Sequence, residues 1–171
     1  MQQPERRVEA AGVLQHQTGN DIPAPVRERM GSMLNRQLAD ALHLQLHSKY
    51  AHWNVRGANF IALHGLFDSL ASAVSAWADM LAERVVQLGG RGEGTLAQVA
   101  ARSRLASERT DSDASEAQLA SVRDNLVAFA TAVRAGIGTA AGAGDDVSAD
   151  ILTEVARGAD AQLWKVEAHL G

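Results

Sequence analysis

From about Val26 onward the apolar positions recur at intervals of three and four, the spacing that gathers them on one side of a helix. The period predicts a first helix over roughly residues 26–56. Gly57 and Asn59 in "RGAN" suit a stop and a turn. A second helix is predicted from about Phe60 to Leu88, ended by Gly89-Gly90. "TLAQVAARS" predicts a short helix inside a long connection. "DSDASEAQ" offers several N-caps for a third long helix, about Ser115 to Ala141. "GAGDDVS" breaks it, and Ser148 is placed to cap a fourth that ends near Leu170. Residues 1–25 are polar, contain "IPAP" and have no helical period, which predicts a mobile tail ahead of one domain over 26–171. The glycine-rich "GGRGEGT" lacks the GK[ST] ending of a phosphate loop and is read as a helix stop and connector.

Four long helices with one long middle connection predict an all-α fold: a four-helix bundle of ferritin-like connectivity, with a short helix between helices 2 and 3. Composition agrees, being 46% hydrophobic but only 4% aromatic, with three Pro. The chain has no cysteine, so disulfides and thiolate sites are excluded and any metal must take oxygen and imidazole ligands. The first residues hold no apolar segment of signal-peptide length, and no stretch is expected to span a membrane, which predicts a cytoplasmic protein. A net charge of −4 does not suit non-specific nucleic-acid binding but does attract cations.

The second helix has two distinct faces. Leu63, Leu66, Phe67, Leu70, Val74, Trp77, Leu81, Val85 and Leu88 form the stripe of an ordinary core-facing helix. His64, Asp68, Asp79 and Glu83 share a second sector with Ala71, Ser72, Ser75, Ala76 and Ala82. A solvated face normally carries long charged side chains. Here small residues separate ligand-type ones, which lets another helix come close. His64 and Asp68 are one turn apart, as are Asp79 and Glu83, so each pair can converge on one ion. The two pairs are separated by roughly 16 Å of helix, too far for ligand bonds of about 2 Å to one metal.

Two copies of this helix packed antiparallel resolve the difficulty. About a two-fold axis near residues 73–74, His64 faces the partner's Glu83 and Asp68 faces the partner's Asp79. Reciprocity makes two equivalent sites per dimer. His52 joins from the first helix. It shares a sector with Leu34, Leu38 and Leu42, and it lies as far before the turn as His64 lies after it. His43 and His47, also one turn apart, point the other way from His52 and are a lesser candidate for a metal pair. Two imidazoles and three carboxylates suit Fe(II), Mn(II) or Zn(II), with the carboxylates favouring the harder ions. Ordinary di-iron ferritins build their centre within one subunit on Glu-x-x-His motifs, and this chain has none.

These residues carry a resemblance. "LNRQLADALHLQLHSKYAHWNVRGANFIALHGLFDSLASAVSAWADMLAERVVQLGG" resembles the Dps family, the mini-ferritins named as DNA-binding proteins from starved cells. The family pattern H-W-N-x-x-G-x-x-F-x-x-x-H-x-x-x-D, then D-x-x-x-E-R, falls on His52, Trp53, Asn54, Gly57, Phe60, His64, Asp68, Asp79, Glu83 and Arg84. "ADILTEVARGADAQLWKVEAHL" is similar to the family's last helix, so the likeness covers roughly residues 30–170.

The resemblance implies a hollow homo-dodecamer with a ferroxidase centre at each two-fold interface. Iron(II) would be oxidised there, preferably by hydrogen peroxide rather than O2, and stored as ferric mineral. Zinc or manganese would be substitute ions. His52, His64 and Asp68 would come from one chain, and Asp79 and Glu83 from the other. Trp53 resembles the family tryptophan thought to take up stray oxidising equivalents; a packed aromatic at a helix end is its other reading. Asp145, Asp146 and Asp150 are candidates for an acidic three-fold pore, or else helix-capping carboxylates. DNA binding, which the family name suggests, is poorly served by this chain. In its tail Arg6 and Arg7 are set against Glu5, Glu9 and Asp21, and its only lysines are Lys49 and Lys165. Two alternatives stay open: a non-enzymatic, nucleoid-associated DNA-compacting protein with a weak or vestigial metal site, and a plain helical assembly protein whose polar face makes interchain hydrogen bonds.

Overall fold

A computed structural model describes residues 14–107, 112 and 114–170. It holds five helices: α1 (Ala24–Asn54), α2 (Phe60–Gln87), α3 (Leu96–Arg102), α4 (Ser115–Gly142) and α5 (Asp146–Glu167). Antiparallel hairpins α1/α2 and α4/α5 pack against each other to make the four-helix bundle, and the short α3 lies on α1 in the long connection. Among the described residues there is no strand, only isolated bridges between Leu14 and Gly90 and between Arg56 and Ala114.

The α2 stripe enters the core as its period predicts. Leu63, Phe67, Leu70, Val74, Leu81, Val85 and Leu88 are buried, with Trp77 nearly so, and Leu66 packs at the core's edge. Trp77 stacks on Phe129 of α4 at a centroid distance of 6.0 Å. Gly158 of α5 leaves room for that indole; a Cβ there would sit 2.6 Å from Trp77 Cζ2. Three buried polar side chains of α1 and α4 hold the long connection. Asn35 bonds the backbone at Arg91 and Glu93, Asp40 accepts from the backbone and guanidinium of Arg104, and Asn125 brackets Ala106. Thr95 and Gln98 close a capping box at the start of α3.

Several boundaries differ from the sequence expectation. Helix α1 starts at Ala24, because Pro25 needs no backbone donor in the first turn. It ends at Asn54 rather than Arg56, and Gly57, at φ 122, turns the chain. Ser148 does not cap the last helix. Asp145 does, its carboxylate accepting from the Ser148 backbone N–H at 3.0 Å. Helix α4 begins after Ala114 with no side-chain cap, while the alternative caps Asp111 and Asp113 lie outside the described residues.

Of the expected tail, residues 1–13 lie outside the described residues, and residues 14–23 are not free. Gln15 and His16 donate backbone N–H groups to the Gly89 carbonyl at 2.8 and 3.0 Å, and Arg27 clamps the carbonyls of Ile22 and Leu88. Gly89, at φ 87, admits this contact; a Cβ there would meet the His16 carbonyl oxygen at 2.8 Å. One helix is nonetheless apolar over a long stretch. Within Phe60–Gln87 an 18-residue window has the length and composition of a membrane span, as the core helix of a soluble bundle also can.

Candidate metal centre

His52 lies in the last turn of α1 and His64 in the second turn of α2. The Gly57 turn folds the two helices back on each other and stacks the imidazoles, with ring centroids 3.6 Å apart and planes 21° from parallel. Each ring also braces the other's backbone. His52 Nδ1 donates to the His64 carbonyl at 2.8 Å, and His64 Nδ1 donates to the His52 carbonyl at 2.8 Å. A proton held on Nδ1 fixes the tautomer and leaves the Nε2 lone pair as the ligand atom, the arrangement that orients metal-binding histidines. Phe60 flanks His64 at 5.0 Å.

Asp68 follows one turn later, half-exposed, and accepts from Lys49 Nζ at 2.7 Å. That hydrogen bond and the charge of Lys49, helped by His52 and His64, hold its carboxyl below the ordinary value of 3.8. Spacing along α2 gives no hint of Lys49, because the contact runs between helices. Its signal was rarity: it is one of two lysines in the chain, three residues before His52.

Asp79 and Glu83 are exposed farther along the same face. Asp79 borders an open groove of about 630 Å³ floored by Ser72, Ser75, Ala76 and Ala82. The chain therefore brings His52 and His64 together, gives Asp68 to Lys49, and leaves Asp79 and Glu83 apart. Among the described residues no three His, Asp or Glu side chains of one chain form a group able to hold an ion. Trp53, beside His52, is 66% exposed, so within the chain it is not a packed aromatic.

The remaining candidates resolve differently. His47 is fully buried, its Nδ1 2.9 Å from Asn125 Nδ2 and its Nε2 3.3 Å from Ser121 Oγ. His43 Nδ1 lies 2.7 Å from Ser103 Oγ. His47 thus bonds into α4, and His43 to the connection after α3. Asp145 is 1% exposed and takes the capping role rather than facing a pore. It also accepts from Arg84 Nη2 at 2.7 Å, while Arg84 Nε donates to Ser148 Oγ at 2.9 Å. Arg84 thereby ties the α2 turn that carries Glu83 to the start of α5. Asp146 and Asp150 are exposed on α5.

Comparisons with known proteins agree with this fold. Residues 32–171 match the ferritin-like domain family. The chain is similar to a DNA protection during starvation protein of Agrobacterium fabrum, 37% identical over 155 residues, covering 91% of this chain and 96% of that one. A protein of the same name from Brevibacillus brevis is 32% identical over 147 residues, covering 85% and 97%. Among solved structures, an archaeal Dps homologue of Halobacterium salinarum superposes with a TM-score of 0.89 at 27% identity, covering 98% of this chain and 93% of that one.

Proposed function

We propose that this chain, which belongs to the Dps family of ferritin-like proteins, is a ferroxidase that oxidises iron(II) at centres shared between two-fold-related subunits and stores the ferric product in a hollow dodecamer. Iron storage and protection are the functions the family supports. The observation that carries the finer reading is the reciprocal bracing of His52 and His64. It commits both Nδ1 atoms to backbone and leaves two Nε2 atoms of adjacent, stacked rings as ligands.

His52, His64 and Asp68 form one half of the centre. The partner's Asp79 and the partner's Glu83 complete it, since no one chain gathers the set. Mixed imidazole and carboxylate donors suit iron(II) and hold the ferric state through their negative charge; manganese(II) or zinc(II) would occupy the same donors. With hydrogen peroxide as oxidant, each of two iron(II) ions gives up one electron. The O–O bond takes the pair and breaks, and two hydroxide equivalents form. O2 is the slower alternative acceptor. Trp53, exposed beside His52, is placed to yield an electron should an oxidising equivalent escape. Action in the cytoplasm is part of the proposal. DNA binding is not, because a dodecamer multiplies a net charge of −4 twelve times and repels phosphates.

Complementation tests the shared centre. His64→Ala chains and Glu83→Ala chains are each expected to lose iron(II) oxidation. Co-assembled, mixed pairs regain one intact centre of two, and activity partly returns. No recovery would point to a centre inside one chain and end the reading.

A further inference from the structure

The exposed face of α2 carries more symmetry than its ligands. Ile61 and Val86 are 78% and 53% exposed and lie at opposite ends of the helix. The two-fold that pairs His64 with the partner's Glu83 also sets Ile61 against the partner's Val86. Inward from them, the same two-fold would bring Gly65 to the partner's Ala82, Asp68 to the partner's Asp79, and Ser72 to the partner's Ser75. These positions alternate by four and three along the helix, the spacing of a coiled-coil seam. Apolar faces apolar and small faces small, so the seam fits a second copy of itself. The exception is the acid, which faces an acid.

Like charges opposed across an interface resist pairing. Among the described residues Lys49 is the cation that pairs with a carboxylate of this seam, with its Nζ on Asp68 Oδ1. The other groups facing Asp68 are His52 and His64. Each centre holds three carboxylates from two chains, and Lys49 offsets one of them. We propose that Lys49 is a placeholder cation: it neutralises Asp68 so that two copies pair through α2 before any metal arrives. The inference rests on the shared centre proposed above and adds the device that lets that centre assemble empty.

The absence of cysteine gives a clean probe of pairing. Residues 61 and 86 are roughly 37 Å apart along one helix, so an Ile61→Cys/Val86→Cys chain can form a disulfide between these positions only across the seam. The chelator-treated chain, oxidised with glutathione disulfide at low ionic strength, is expected to cross-link into dimers. Adding Lys49→Met should lower that yield several-fold. High salt or manganese(II) should restore it, by screening or replacing the lost charge. Lys49→Arg should cross-link like the parent, and so should Lys49→Met combined with Asp79→Asn. Equal cross-linking with and without Lys49→Met, in metal-free low salt, overturns the placeholder role alone. If the parent pair fails to cross-link under any condition, the α2 pairing is wrong and the shared centre falls with it. Circular dichroism on each chain separates lost pairing from lost folding.

Discussion

Two ion pairs of equal length have opposite surroundings. Arg84 and Asp145 meet at 2.7 Å with side chains 5% and 0% exposed, whereas Lys49 and Asp68 meet at 2.7 Å with side chains 33% and 53% exposed. The buried pair is enclosed by further bonds: Ser148 donates to both carboxylate oxygens, and Arg84 also reaches Gln87. The exposed pair has water on one side and, in the proposed dimer, the partner on the other. Distance alone therefore does not assign a role. A pair sealed by its neighbours fixes α2 to α5. A pair left open can exchange one cation for another.

The largest effect should come from breaking the sealed pair. Arg84→Met strands the Asp145 carboxylate without a counter-ion and should cost about 3–5 kcal/mol, read as a shift of the urea unfolding midpoint. A variant as stable as the parent would mean the pair is not the tie between helices described above. Ser148→Ala removes one bond to each partner while leaving the charges matched; a loss of about 1–3 kcal/mol is expected from the same measurement. On an Ile61→Glu background that keeps the chain unpaired, Lys49→Met should leave the unfolding midpoint where it was, because water screens the open pair.

The open pair is better read by titration. A carboxylate held below its ordinary value contributes stability above that value, and loses it as pH falls through the depressed one. For Asp68 that window lies below 3.8. Carboxyl-carbon NMR on an Ile61→Glu chain, which the seam keeps from pairing, should show Asp68 titrating below the ordinary range. Lys49→Met should move the titration upward. An unchanged midpoint in that variant would separate Lys49 from Asp68 in solution.

Much of this was legible in the amino-acid order. The α2 core stripe followed from its period, because each apolar residue buries against the bundle. The meeting of His52 and His64 followed from their equal distance from the turn. Side-chain pairings away from that turn were not legible, since no spacing within α2 announces Lys49 or Asp145. The cap of α5 was misplaced for a related reason: Asp145 and Ser148 can both cap, and burial beside Arg84 decides for Asp145. Ile61 and Val86 needed exposure values before their symmetry meant anything, because apolar residues on a helix are first read as core.

Helix α2 has the length and apolarity of a membrane span. It reaches that state because one face meets the bundle and the other carries small residues for a neighbour. Aspartate near the middle of such a segment costs about 2.5–3.5 kcal/mol to insert, and Asp68 lies near the middle of the apolar stretch. The acids proposed to receive iron are thus also what sets α2 apart from a lipid-spanning helix of the same length.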